Sequence, residues 1–388
     1  MMSVMGIEKP RRRDVVKGIA ALGVALSMTA DTPQSSPEAA KKVDVYLGDM
    51  SEAGLEKTQK NSFEKQFAKR EMFETAGGTA EVVDIRPDKM KDDVPVFFAP
   101  AWACTLPIYK IALKTEVEQG RRTISLNHPR TGGEVILRDD EKELVADYPP
   151  IEVQKALTII DILQKKEIET TDVIAHSEGS INSAIAALLL ARRAKEVGKE
   201  APIQNMVFFG PPGLIGEDTF PRLLKGFAGQ NDAKPTLAEM PSAPEASDDE
   251  KIRTDTVGGV PINYPEIRPN AEAQESIVGP GKIPVVIKEL GKFTIANPLR
   301  SFQEGWGMSQ VHMEGLISKL REYGIGIVIM SAVDDPVFPT ERMATLLKKG
   351  SVDGFLSVRG GHGQIGDNPE RYMVAANQML ENLRNRKK

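Results

Sequence analysis

The sequence predicts an α/β protein whose mostly parallel sheet carries helices on both faces and is interrupted by one long insertion. Two observations lead there. Short, almost continuously apolar runs alternate with longer segments of helical periodicity, the pattern of strands buried on both faces and joined by helical crossovers. The alternation then stops between Gly213 and about Gly315 and resumes beyond it. A chain of 388 residues with 40% hydrophobic content and a formal charge of −5 has room for one large domain plus such an insertion.

Residues 1–30 are expected to be a twin-arginine-type signal segment. Arg12-Arg13, one further residue, Val15-Val16 and Lys17 are followed by an uncharged, Ala- and Gly-rich stretch from Gly18 to Ala30. That stretch falls short of the roughly 20 apolar residues a membrane span needs, so export to the periplasm or beyond is expected, with no integral span after signal removal. A plain basic amphipathic helix there would instead leave the protein cytoplasmic. The single Cys104 excludes an intrachain disulfide.

Residues 31–78 read as a linker and an N-terminal helical extension, in which the charged segment Glu52 to Phe73 sets Phe63, Phe67 and Phe73 toward the core. The first part of the core, 79–212, opens with the strand Val94 to Ala99 and the loop Pro100-Ala101-Trp102-Ala103. A periodic helix, Ile108 to Gly120, and a strand, Arg122 to Leu126, come next. Ile151 to Lys166 places Ile151, Val153, Ala156, Leu157, Ile160 and Leu163 on one helical face. Ile181 to Val197, rich in Ala and Leu, stops at Gly198, and Ile203 to Phe209 is the next strand.

The insertion, 213–315, has a middle rich in Pro, Ala, Asp and Glu (Gln230 to Pro269), which reads as loop, and a later part, Ile283 to Trp306, suited to one or two helices. The second part of the core, 316–388, holds a helix begun at Val311 and ending at Tyr323, strands Ile325 to Ala332 and Phe355 to Val358, and a last helix from Pro369 to Arg384.

Chemistry concentrates at the end of one strand. The apolar run Val173-Ile174-Ala175 meets His176-Ser177-Glu178-Gly179 and a helix-forming segment follows at once. This is a variant of Gly-x-Ser-x-Gly, in which a sharp strand-to-helix turn exposes a strained serine and small residues on either side permit the close approach. Ala175 stands in the first glycine position and Gly179 in the second. A serine hydroxyl needs an imidazole to take its proton and a carboxylate to orient that imidazole. Of four histidines, His362 lies in a glycine-rich loop after a strand, and Asp335 lies just past the strand Ile325 to Ala332, with Asp334 one position away. Each residue also has a structural reading: Ser177 as a helix N-cap, Asp335 as the cap of a following helix, His362 as a loop histidine. His128 and His312 are read as structural, with His312 a pocket residue if the insertion folds over it.

The order Ser177, Asp335, His362, each after a strand, resembles the α/β-hydrolase family, from about Thr79 to the C-terminus apart from the insertion. Asp335-Pro336-Val337-Phe338-Pro339 matches the family's Asp-x-apolar-apolar-Pro form. The resemblance implies an oxyanion hole of two backbone N–H groups, which map onto Glu178 and Trp102. Pro100-Ala101 departs from the His-Gly-x-Gly usual in that loop. It also implies that the insertion is a cap over the serine, the other reading being a solvent-exposed excursion.

No basic stripe for nucleic acid, no His or Cys cluster at metal-binding spacing, and no phosphate-binding glycine loop occurs. No cofactor or metal is therefore expected, and the partner is expected to be a small-molecule acyl substrate. The function expected from the resemblance is a serine hydrolase acting on an ester, thioester or amide through an acyl-Ser177 intermediate. An acyltransferase with the same three residues and a non-catalytic binding protein on the same scaffold are the alternatives. Glu178 should point away from the oxyanion site or be paired, since its charge would otherwise oppose the oxyanion.

Overall fold

The computed structural model describes residues 57–129, 135–215, 218–229, 256–257, 260–261, 297–332, 335–340, 342–343, 351–358, 361–363, 365 and 369–387. The expected signal segment (1–30), residues 31–56 of the expected linker and extension, and most of the insertion lie outside the described residues.

An eight-stranded sheet forms the centre, in the order β1-β2-β4-β3-β5-β6-β9-β10. Its strands are β1 (Glu71–Thr75), β2 (Gly78–Ile85), β3 (Asp92–Ala99), β4 (Arg121–Asn127), β5 (Thr171–His176), β6 (Ile203–Phe209), β9 (Gly326–Ala332) and β10 (Gly354–Val358). A separate two-stranded pair, β7 (Thr256–Val257) and β8 (Val260–Pro261), falls within the insertion. From β4 to β10 every neighbouring pair is parallel; β1 and β2 add an antiparallel edge.

Among the described residues the α-helices are α1 (Lys57–Ala68), α2 (Lys110–Glu118), which follows a 3-10 turn at Leu106–Tyr109, α3 (Asp139–Leu144), α4 (Pro150–Lys165), α5 (Glu178–Glu196), α6 (Phe220–Gly229), α7 (Pro298–Gln310), α8 (Met313–Glu322) and α9 (Pro369–Lys387). They cover both faces. Ile159, Ile162 and Ile181 to Leu189 of α4 and α5, with Leu316 and Leu320 of α8, pack on one face with Val173 and Ala175 of β5. Phe63, Phe67, Leu113, Met373 and Leu380 of α1, α2 and α9 pack on the other with Ile174. Successive residues of β5 thus enter different cores, as the two-residue strand period requires, and a strand buried on both faces has to be apolar throughout.

Two boundaries differ from the sequence reading. Phe63 and Phe67 pack inward from α1 as expected, but Phe73 lies on β1. The β1–β2 hairpin turns through Ala76-Gly77, with Thr75 opposite Gly78, so the sheet begins eight residues before the expected start at Thr79. Its short, half-exposed strand carries charged residues and lacks the apolar run that marks a central strand. The helix after Ser177 starts at Glu178, one turn before the apolar stretch that signalled it.

The C-terminal ends of β3, β5, β6 and β9 converge on one edge of the sheet, the crevice in which open α/β sheets bind ligands. The segments leaving β3, β5 and β9 carry Trp102, Ser177 with Glu178, and Asp335, and the loop after β10 carries His362.

Candidate active site

Ser177 sits between β5 and α5 with φ 52° and ψ −123°, a conformation that a side chain with Cβ adopts at a cost of about 1–3 kcal/mol. The turn is held by Ser177 N–H donating to the Phe209 carbonyl at 2.8 Å and Ser180 N–H donating to the Ser177 carbonyl at 2.9 Å. Gly179 is required by close approach: a Cβ there would fall 2.4 Å from the Ala99 carbonyl oxygen and 2.6 Å from that of Pro100. Although Ser177 occupies the N-cap position of α5, its side chain makes no cap hydrogen bond. Its Oγ lies 2.9 Å from Nε2 of His362.

The other imidazole nitrogen, Nδ1, lies 2.8 Å from Oδ2 of Asp335. A carboxylate can only accept, so Nδ1 carries the proton, and in the neutral ring Nε2 is left to accept from the serine hydroxyl. Asp335 is itself fixed, because its Oδ1 accepts from the N–H groups of Val337 at 2.7 Å and Phe338 at 2.9 Å. Both bonds lie before Pro339, so Asp335 holds its own turn rather than capping a helix beyond Pro339. Gly210, with φ 49°, passes under the ring, and a Cβ there would stand 3.0 Å from Nδ1. Ser177, Asp335 and His362 are 1%, 3% and 8% exposed.

The structure thus brings together the three side chains that sequence order selected. Glu178 opens α5, where the first N–H groups have no partner within the helix and the helix dipole adds positive potential. Trp102 lies in the loop after β3, beside Ala103 at φ 55°, and Cys104 N–H donates to the Ala101 carbonyl at 3.1 Å to close the turn. In the absence of a glycine, Ala103 takes up the left-handed conformation.

Two helices of the insertion reach this edge. Phe227 of α6 packs against Trp102 (5.4 Å between ring centroids) and edge-on to His362 (5.9 Å). Gly305 of α7 approaches Phe220 and Trp102 so closely that a Cβ would meet the Phe220 ring at 2.6 Å. Beside them lies a buried ionic cluster. Lys155 of α4 donates to both carboxylate oxygens of Glu178, at 2.7 and 2.6 Å, and lies 3.0 Å from Glu304 of α7, which Arg300 meets at 3.1 Å. Glu178 is therefore paired, as the electrostatic argument required. Burial pushes its carboxyl up to about 7 against the pull of Lys155, with Glu304 adding to the rise. Burial and the Glu178 charge hold Glu152 well above the usual carboxylate range.

His128, with both ring nitrogens buried, is held well below the ordinary histidine value by burial and by Lys155 and Arg300. His312 does not enter the site; it is exposed at the N-terminus of α8. Sequence reading missed Lys155, Arg300 and Glu304, since a lysine in an apolar helix face carries no mark of its partner. Among the described residues no group of three or more His, Cys, Asp or Glu is arranged to hold a metal ion, and no helix is long and apolar enough to cross a membrane.

No protein-family model matches the chain, and no curated protein matches it in sequence. Solved structures do match it in shape. A bromoperoxidase from Bacillus anthracis superposes with a TM-score of 0.51 at 13% identity, over 81% of this chain and 100% of its own. A meta-cleavage product hydrolase from Pseudomonas fluorescens IP01 superposes with a TM-score of 0.50 at 13% identity, over 80% of this chain and 97% of its own. With the strand order and the strand-to-helix serine turn, these likenesses establish that the chain has the α/β-hydrolase fold.

Proposed function

We propose that the protein is a serine hydrolase that cleaves an ester, thioester or amide through an acyl-Ser177 intermediate. One observation carries this reading: the Ser177 hydroxyl, on a strained turn, lies 2.9 Å from an imidazole whose far nitrogen lies 2.8 Å from a fixed carboxylate. A fold alone hosts many functions, but a scaffold that only binds has no need to hold a buried serine at φ 52° against a histidine.

In the proposed reaction, Ser177 Oγ attacks the carbonyl carbon while His362 Nε2 takes its proton. The imidazolium then gives that proton to the leaving group as the carbon–heteroatom bond breaks. Asp335 keeps Nδ1 protonated and stabilises the imidazolium. The N–H groups of Glu178 and Trp102 are the oxyanion donors, and the first stands at the positive end of α5. Water then attacks the acyl-serine with His362 as base, which restores the serine. The pairing of Glu178 with Lys155 favours this scheme, because a lone carboxylate next to the oxyanion would raise the barrier. The helices of the insertion act as a cap, with Phe227 and Trp102 forming an apolar wall at the imidazole.

Steady-state hydrolysis of a panel of activated esters and thioesters by wild-type protein, Ser177→Ala and His362→Ala tests the reading. Turnover by the wild type alone is expected, and equal turnover by Ser177→Ala would remove it. Adding competing alcohols and amines and analysing the products separates hydrolysis from acyl transfer.

A further inference from the structure

Behind the imidazole, on the face of the sheet away from α4 and α5, runs a chain of three buried hydrogen bonds. Ala101 N–H donates to the Tyr109 hydroxyl oxygen at 3.1 Å. The Tyr109 hydroxyl meets Nδ1 of His176 at 2.7 Å. His176 Nε2 meets the backbone carbonyl of His362 at 3.0 Å. Its first residue adjoins Trp102 in the loop after β3, and its last is the base itself.

The chemistry of the ends fixes the direction. A carbonyl oxygen only accepts, so His176 Nε2 must carry the proton. In a neutral ring Nδ1 is then bare, and the Tyr109 hydroxyl donates to it while accepting from Ala101. Burial, and next the neighbouring His362, push His176 down to about 3, so the ring stays in this single neutral form through the physiological range. The Cys104 thiol also faces the Tyr109 hydroxyl, and burial raises it to about 11, so it adds no charge there. The titratable groups facing the His176 ring are His362, tilted against it with centroids 5.1 Å apart, and Tyr109, edge-on at 5.9 Å.

We propose that His176 and Tyr109 are positioning residues that lock the backbone of His362 to the loop bearing the Trp102 N–H. The proton-transferring side of the site and the oxyanion side are thereby set in register. The inference rests on the acyl-transfer reading of Ser177 and His362 and extends it. Without the lock, the His362 carbonyl and the glycine-flanked loop carrying it are free to shift. A displacement of about 1 Å in a reacting group can lower the rate about 100-fold.

The test uses the full chain with three variants: Tyr109→Phe, His176→Leu and His176→Gln. The glutamine amide can donate to the His362 carbonyl and accept from Tyr109; leucine can do neither. The readout is the second-order rate of Ser177 labelling by a fluorophosphonate from pH 5 to 9, with near-ultraviolet circular dichroism as a check on folding. Tyr109→Phe and His176→Leu are expected to label about 10–100-fold more slowly with a displaced midpoint of the pH profile, and His176→Gln to stay within about threefold of wild type. Unchanged rates and midpoints in folded Tyr109→Phe and His176→Leu would overturn the proposal. So would a glutamine variant as slow as leucine, which would mean that ring packing alone matters.

If wild-type protein does not label, the acyl-transfer reading fails separately. The lock is then read from ¹⁵N shifts of the histidine rings: a His176 fixed as Nε2–H from pH 5 to 8, with His362 signals broadened or shifted in Tyr109→Phe, sustains it. A His176 that titrates in that range, or an unmoved His362, overturns it.

Discussion

Lys155 holds both carboxylate oxygens of Glu178, 2.7 and 2.6 Å from its ammonium, and Glu178 is the residue that follows Ser177. The same ammonium lies 3.0 Å from Glu304 on α7. One buried cation therefore neutralises the position beside the proposed oxyanion site and anchors a helix of the insertion to the core.

Replacing Lys155 with Met should consequently strip two buried carboxylates of their common partner. Breaking a buried pair in this way costs about 3–5 kcal/mol, and urea unfolding should show a loss of that order. The double variant Lys155→Met/Glu178→Gln should recover part of it, because one of the uncompensated charges is gone. Additive losses would mean that the pair is not coupled.

Glu152 gives a prediction with a definite sign. Burial and Glu178 raise its carboxyl well above the ordinary value in the folded protein, whereas the unfolded chain ionises near pH 4.5. A group raised on folding contributes stability that is complete below the unfolded pKa and is lost as pH rises toward the folded one. Glu152→Gln has no proton to lose. Its stability relative to wild type should therefore climb between pH 5 and 8, by at most about 1.4 kcal/mol per pH unit. Thermal denaturation at several pH values measures this, and a flat difference would contradict it.

At Gly210 the prediction is steric. With φ 49° and a would-be Cβ 3.0 Å from His362 Nδ1, alanine strains the backbone and pushes the imidazole off Asp335. Gly210→Ala should lower kcat by at least about 10-fold while thermal stability falls only modestly. Ester hydrolysis compared with the melting temperature separates the two effects.

Asp335→Asn should keep the fold, since Asn Oδ1 can still accept from Val337 and Phe338 N–H. Its amide, however, donates to Nδ1 and forces the proton onto Nε2, the tautomer that cannot take the Ser177 proton. A drop in kcat of about 10⁴-fold is expected, with little change in melting temperature. Retained turnover would show that the carboxylate does not set the tautomer.

Much of this arrangement was legible in the sequence because it depends on local patterns. Apolar runs marked the parallel strands, three of them with Ser177, Asp335 or His362 past their ends, and chain order joined the three. The hairpin β1–β2 was not legible: its outer strand, Glu71–Thr75, is half-exposed and charged, and its identity comes from pairing with β2. Nor were Lys155 and Tyr109. Lys155 meets Glu178 across 23 residues and Tyr109 meets His176 across 67, and nothing in the spacing of either residue records those contacts. His176 was visible as the neighbour of the serine, and the two-residue strand period does turn it away from the Ser177 side, but what it meets there is decided by the 3-10 turn Leu106–Tyr109 before α2 and by the His362 loop.

The central proposal, an activated Ser177, is tested most directly by incubating the protein with a fluorophosphonate probe and mapping the adduct by intact mass and peptide analysis. A single adduct on Ser177, lost in Ser177→Ala and formed far more slowly in His362→Ala, is the expected result. Folded wild-type protein that remains unlabelled, or that labels equally well without His362, would contradict it.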